Sequence, residues 1–344
     1  MVVCGNRPFL FIRRNMKIII DTYGADGGAE VLIDGTIKAL KKKDFTPVFA
    51  GQKEKIDKLI DSKIKNYEII EALDIITNTD DPVRAIRRKK DSSLVKAYRA
   101  LKEGAYDGMI SAGSTGAILA GGLFISGRIK GVDRACLATS LPTQKGSTLL
   151  MDTGANMDCK PEFLQEFAIM GSVFSANVLG VENPSVSLLN VGVEEGKGNK
   201  LVKETYNLLK ETDINFAGNM EARDLFTGKT NVIVADGFDG NIALKTAEGV
   251  ISLFKNEMKS AIYKSFTTKI GGGLLKSALK ENLSKYSADE VGGVPLLGIN
   301  DYVYKAHGNT NAYAFSNAIL GLIDYIEKDT IEKIQGELQC LEKN

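Results

Sequence analysis

The sequence predicts an α/β fold: a doubly wound, three-layer arrangement around a mainly parallel sheet. Three observations carry the expectation. Short apolar runs alternate with longer amphipathic stretches along most of the chain, the pattern of strands joined by helices. Several runs are continuous Ile, Val and Leu, as expected of strands covered on both faces. Six of the runs end in Gly with Asp, Asn, Lys or Arg; ligands of such sheets sit at the carboxyl ends of strands, so the six are expected to form a polar cleft on one edge of the sheet.

The first strand is residues 18–21, and an amphipathic helix follows over 29–41. Strand 46–50 leads to helix 52–62, and strand 67–71 precedes helix 92–103, which opens on the capping residues Ser92 and Ser93. Strand 108–111 follows. Strand 147–152 leads into helix 161–179, strand 186–191 into helix 200–211, and strands 214–217 and 232–236 precede helix 240–261. A last helix, with Asn309 or Thr310 as its cap, follows His307. There is no internal repeat, low-complexity tract or Pro/Ser linker. One domain over 16–330 therefore fits, with a helical hairpin appended at 255–286 and a tail at 331–344.

That hairpin carries Phe254, Met258, Ile262, Phe266, Ile270, Leu274, Leu275, Leu279 and Leu283 with interspersed lysines, and Gly271-Gly272-Gly273 is expected to split it into two helices. It reads as a pair packed on the body or at a dimer interface, or as a basic amphipathic element on a membrane. Residues 1–15 place apolar side chains before Arg13 and Arg14, the reverse of a signal peptide. They read as an upstream extension of a chain starting at Met16, or as a short membrane-touching arm. No apolar run approaches the ~20 residues that span a bilayer.

Composition excludes several functions. Lys plus Arg number 44 and Asp plus Glu 43 among 344 residues, a net charge of +1, which argues against nucleic-acid binding through bulk charge. Glycines number 35 and prolines 7, which signals tight turns between regular elements. His307 is the single histidine, so no multi-His metal site exists and any Ser-His or Cys-His pair must use it. Cys4, Cys136, Cys159 and Cys340 form no CxxC pair, as in a cytosolic protein with reduced thiols.

The strand ends carry the candidate chemistry. Asp21 and Asp26 follow the first strand. Ser111, Gly113, Ser114, Thr115 and Gly116 follow the strand at 108–111, where small residues let backbone N–H groups approach an anion at a helix start; an ordinary Ser N-cap is the plainer reading. Neither this loop nor residues 192–199 match a dinucleotide or Walker sequence, so a small oxyanion such as phosphate is the expected ligand. Lys197, Arg223 and Lys245 are its candidate partners through charge-assisted hydrogen bonds. Asn156, Asn219 and Asn241 are candidate oxyanion donors. Asp152, Asp158 and Asp236 read as metal ligands or, because they lack metal-loop spacing, preferably as hydrogen-bond organisers of the basic groups; no metal or other cofactor is expected. His307 is a turn histidine or an acid/base. Cys159 is a buried small thiol or a nucleophile with His307 as base. Arg84, Arg87, Arg88, Lys89 and Lys90 form a basic run, either a solvated loop or a docking surface for an acidic partner or a phosphorylated substrate.

The strings SAGSTGA, DTGANMDCKPE, EEGKGN, GNMEARD, DGFDGNIALKT and KAHGNTNA, in this order, resemble the bacterial phosphate acyltransferases of fatty acid and phospholipid synthesis. RRKKDSS and VGGVPLLGI are similar to further segments, and the resemblance runs from Met16 through the helix after His307. It departs at Gly24-Ala25-Asp26-Gly27, where the family's segment ends in His, at Ser114 in place of Asn, and at Ala222 in place of Gly. The resemblance implies acyl transfer from acyl carrier protein to inorganic phosphate. It implies a cytoplasmic, peripherally membrane-associated homodimer whose product feeds a membrane glycerol-3-phosphate acyltransferase. It also implies a fold like isocitrate and isopropylmalate dehydrogenases and phosphotransacetylases, without nicotinamide. On this reading phosphate attacks the thioester directly, and the basic run docks the carrier protein. Three alternatives stand beside it: an acyl-enzyme at Cys159, a phosphotransacetylase-like use of acyl-coenzyme A, and a non-enzymatic membrane-surface organiser.

Overall fold

The structure is a computed structural model that describes residues 15–284 and 288–341. The expected extension lies outside the described residues except for Asn15, and so do residues 285 and 286 at the end of the expected hairpin.

In chain order the first elements are β1 (Lys17–Asp21), α1 (Gly28–Leu40), β2 (Thr46–Gly51), α2 (Lys53–Ile60), β3 (Glu68–Glu71), α3 (Pro82–Arg88), α4 (Ser93–Lys102), β4 (Gly108–Ser111) and α5 (Thr115–Gly121). Then come β5 (Cys136–Thr143), β6 (Gly146–Met151), α6 (Pro161–Asn177), β7 (Val186–Asn190), α7 (Lys200–Lys210), β8 (Phe216–Glu221) and β9 (Val232–Val234). The last are α8 (Gly237–Tyr263), α9 (Phe266–Ser284), α10 (Ala288–Val291), β10 (Gly293–Leu297), β11 (Val303–Ala306), α11 (Ala312–Glu327) and α12 (Thr330–Leu341). All strands join one eleven-stranded sheet in the order β3-β2-β1-β4-β11-β10-β5-β6-β9-β7-β8.

The strand directions divide this sheet in two. β3, β2, β1, β4 and β11 run parallel, and β6, β9, β7 and β8 run parallel to one another. Between the two blocks the chain reverses three times, at β11/β10, β10/β5 and β5/β6. The blocks therefore run in opposite senses, and their carboxyl ends emerge at opposite edges. This corrects the expectation of six strand ends on one edge. The reversals lie in three strands the sequence pattern did not reveal. β5 and β10 carry Pro142 and Pro295, which speak against a strand, and β11 has only four residues.

Helices cover both faces. On one, Leu32 and Ile33 of α1, Phe167 and Met170 of α6, Phe315 and Ile319 of α11 and Ile334 of α12 join a single apolar cluster. Within the segment expected to be a tail, residues 331–341 belong to α12, docked through Ile331, Ile334 and Leu338. On the other face, Ile86 of α3, Val95 and Tyr98 of α4 and Ile118 of α5 cover the first block. A much smaller cluster, Leu141, Leu150, Met220, Leu225 and Ile233, lies beneath Ala243 and Leu244 of α8.

Only Gly237 and Gly240 of α8 are buried, so most of this helix stands away from the body. It turns into α9 at Lys264 and Ser265. There the Thr268 N–H donates to Ser265 Oγ (3.1 Å) and the Ser265 N–H to Thr268 Oγ1 (2.9 Å), a reciprocal cap. The expected break at Gly271-Gly272-Gly273 lies inside α9 instead. Val250, Leu253, Phe254, Phe266 and Leu274 are exposed, so at these residues the hairpin is not packed on the body. The basic run, whose plainer reading was a loop, belongs largely to α3, capped by Asp81 accepting the Arg84 N–H (2.7 Å). The helix after His307, α11, is capped by Asn311, which accepts the Tyr313 and Ala314 N–H groups, rather than by Asn309 or Thr310.

Candidate functional site

At the carboxyl edge of the first block, buried Asp21 accepts hydrogen bonds from Ser93 Oγ (2.6 Å) and Ser111 Oγ (2.7 Å), residues 72 and 90 positions away. Burial pushes its carboxyl up, against the pull of the two hydroxyls. Ser111 Oγ in turn accepts the Gly113 N–H (3.1 Å). Gly24 has a φ of +95°, and a Cβ there would lie 2.3 Å from Gly113 Cα. The loops after β1 and β4 therefore touch backbone to backbone, and only glycine permits it. Ser114 precedes α5 without capping it, which removes the plainer reading of its hydroxyl. Gly116 sits against Pro82, close-packing α5 on α3.

The loop after β11 completes this edge. The Asp26 N–H donates to the Gly308 carbonyl (2.7 Å), which fastens the 24–28 loop to the His307 turn. Lys305 is largely buried, and its Nζ donates to the Ala306 carbonyl. Burial lowers its pKa to about 8, with Lys245 pushing the same way and Asp26 opposing. Burial also lowers His307, helped by Lys305 and Lys245, with Glu248 and Asp289 opposing. The imidazole is thus held neutral at pH 7 and accepts a proton. It borders a chamber of about 70 Å³ shared with Thr139, Pro142, Leu244 and Glu248. Lys245 pairs with Glu248 (2.8 Å).

The opposite edge is built differently. Asp152 accepts the N–H groups of Leu137 (3.0 Å), Ala155 (3.1 Å) and Asn156 (2.7 Å), and the Asn156 side chain (3.0 Å). Asp236 accepts the N–H groups of Phe238 (2.8 Å) and Cys159 (2.7 Å). A Cβ at Gly240 would lie 2.0 Å from the Asp152 carbonyl oxygen, so the loop at 152–159 clamps the start of α8. The two carboxylates organise backbone amides, not the basic groups expected of them. Asp158 stands at φ +55° and Asn241 packs against Gly154. Cys159 lies here, its thiol pushed up to about 12 by burial and Asp236. Its partners are Asn156 and Asp236, so the expected alternative of a Cys159–His307 pair is not formed.

Lys197, Asn219 and Arg223 also belong to the second block. Exposed Lys197 hydrogen-bonds through its backbone to Asn190 and Glu194. Asn219 donates to the Glu194 carbonyl (3.0 Å). Arg223 pairs with Glu221 and borders a separate groove under α8. Of the three expected phosphate cations, only Lys245 is carried to His307. α8 does this by starting at the second block's edge and rising about 16 Å from Gly237 to Glu248 at 1.5 Å per residue. Lys305, Ser93 and Glu248 were not anticipated as site residues. Ser93 looked like a cap, and Lys305 lay in a strand too short to recognise.

The basic run forms a patch beside α5. Arg87 stacks on the exposed ring of Phe124 at 5.0 Å, and Lys89 pairs with Asp80 (2.8 Å), while Val83 is exposed between them.

Residues 16–333 match the family model described as Fatty acid synthesis protein. The chain is 46% identical over 327 residues to a phosphate acyltransferase of Clostridioides difficile (strain 630), covering 93% of this chain and 95% of that protein. It is 46% identical over 333 residues to a phosphate acyltransferase of Clostridium botulinum (strain ATCC 19397 / Type A), covering 96% and 99%. A phosphotransacetylase from Streptococcus pyogenes superposes with a TM-score of 0.61 at 17% identity, covering 91% of this chain and 94% of that one. The EutD phosphotransacetylase from Staphylococcus aureus gives 0.59 at 20% identity, with the same coverage. At these identities the likeness to the two structures is one of fold.

Proposed function

The chain belongs to the phosphate acyltransferases of fatty acid synthesis, and on that premise we propose that it transfers a fatty acyl group from acyl carrier protein to inorganic phosphate. The observation that carries this reading is the convergence of Lys305, Lys245 and neutral His307 at the edge framed by Asp21 and Ser111. Two ammonium groups offset the charge of a phosphate, and the hydroxyl of Ser114 and the Gly113 loop add donors. His307 accepts the proton of dihydrogen phosphate, leaving the more nucleophilic dianion. A phosphate oxygen then attacks the thioester carbonyl, the C–S bond breaks, and the imidazolium returns its proton to the leaving thiolate. Positioning and charge compensation suffice for this attack, because phosphate is itself the nucleophile.

The Arg84–Arg87–Arg88 patch with exposed Phe124 supports docking of an acidic carrier protein. Charge reversal at Arg84 and Arg88 should raise KM for the carrier-linked substrate about tenfold at low salt, an effect that fades as salt rises, with little change in KM for phosphate. The exposed apolar side chains Val250, Leu253, Phe254, Phe266 and Leu274 of α8 and α9 support a homodimer and contact with a membrane surface. No helix among the described residues is long and apolar enough to cross a membrane, which fits a cytoplasmic, peripheral protein supplying acyl phosphate to a membrane glycerol-3-phosphate acyltransferase.

The test is phosphate-dependent release of free carrier thiol, with acyl phosphate as co-product, from long-chain acyl carrier protein. The fold shared with phosphotransacetylases favours one second reading, acyl-coenzyme A as donor, and the same assay with that thioester compares the two. No release from either would sink both.

A further inference from the structure

The groove under α8 has a volume of about 1060 Å³ and lies beneath residues 239–255. Leu189, Leu225, Ile242, Val250 and Phe254 line it; Asn190 and Arg223 lie at the end nearest the β7 and β8 termini, Thr246 midway along the helical wall and Lys255 at its far end. Its volume matches the upper range of small-molecule sites, about 300–1,000 Å³. Its helical wall is about 24 Å long at 1.5 Å per residue. Phe226, Ala247 and Ile251 line both this groove and the His307 chamber. The two spaces are thus neighbours across one thin apolar wall, on the two sides of the same helix.

We infer that this groove holds the acyl chain of the thioester substrate, with the carbonyl in the His307 chamber and the tail passing Ala247 and Ile251 to lie along α8. The inference rests on the acyl transfer proposed above. An unbranched chain has no polar atom to satisfy and needs a long, narrow, apolar trough. Sixteen carbons span about 19 Å at standard C–C geometry, shorter than the groove wall. A second copy of the chain would cover the outer face of α8, but adjacency to the reacting chamber is a property that only substrate requires.

Two variants test this in the full-length protein. Ala243→Phe fills the trough, and Val250→Glu places a carboxylate in it at an exposed position that folding tolerates. Each should lower the ratio of kcat/KM for sixteen-carbon over four-carbon acyl carrier protein by about tenfold or more, since each methylene contributes through its burial. An unchanged ratio in both, with normal thermal melting, overturns the inference. So does an unchanged ratio with a shift from dimer to monomer in light scattering, which would make the groove an interface between copies. Binding of an environment-sensitive sixteen-carbon fatty acid reads the groove without turnover. Wild type should bind it and Val250→Glu should weaken binding about tenfold. Absence of binding overturns the groove, whereas binding without phosphate-dependent thiol release leaves the groove standing and removes the proposed reaction.

Discussion

Asp21 ends β1 and Asp152 follows β6, each at the carboxyl edge of its own block; both are buried, and both carboxyls are pushed up by that burial. Their partners separate them. Asp21 ties together side-chain hydroxyls from α4 and β4, distant in sequence. Asp152 takes up the backbone amides of its own loop and of neighbouring β5. The first arrangement frames an edge where the charges of Lys305 and Lys245 act on His307, which borders a small chamber. The second closes on itself and becomes the footing of α8. Polar, glycine-rich loops of similar appearance therefore serve chemistry at one edge and architecture at the other, and what distinguishes them is whether the loop's own carboxylates occupy its donors.

Substitutions at the first edge should have the largest effect. Lys305→Met should cut kcat/KM for phosphate by about 10²–10³-fold, the scale of removing one preorganised charge donor, and His307→Gln by about 10²–10⁴-fold. In steady-state assays Lys197→Met should cost much less; an equal loss would merge the two edges into one site. Next, Asp152→Ala should lower stability by about 2–4 kcal/mol in denaturant melts, because several buried N–H groups lose their acceptor. A melt within experimental scatter of wild type would contradict its footing role.

The pH profile should show smaller, graded effects. Lys305 is charged below about pH 8 and neutral above it, so KM for phosphate should rise toward tenfold per pH unit beyond about 8. A flat KM to pH 10 would remove Lys305 from the anion site. On the acid side, the unfolded chain protonates His307 more readily than the folded chain does, since burial lowers the folded pKa. Stability should fall as pH drops through about 6.5, and His307→Gln should lessen that slope. The smallest effect belongs to Cys159→Ser. With the thiol near 12 beside Asp236, turnover should stay within about twofold, and ping-pong kinetics lost in this variant would instead restore an acyl-enzyme.

Much of the first block was legible in the sequence, because the Ile run of β1 and the Ser-Ala-Gly-Ser-Thr-Gly segment after β4 have unambiguous periodicity and turn chemistry. The sheet's reversal was not. It is carried by β10 and β5, whose prolines break the strand pattern, and by β11, too short to show alternation. Missing those strands placed all polar strand ends together and left Lys305 unremarked. Asp152 and Asp236 carry side chains equally suited to holding cations or capping amides, and only the fold brings the amides to them. The hairpin turn was signalled by Ser265 and Thr268, a spacing overshadowed by three consecutive glycines downstream.

The insertion of β11 beside β4 has a consequence for synthesis. Met109 and Ile110 pair with Val303 and Tyr304, and α1 packs in one apolar cluster with Phe315 and Ile319 of α11. As the chain leaves the ribosome, the amino-terminal strands present an open edge at β4 until nearly two hundred further residues have been made. The nascent amino-terminal half is therefore a natural client for chaperones, and a chain interrupted before residue 303 should accumulate as an aggregation-prone fragment rather than as a folded smaller domain.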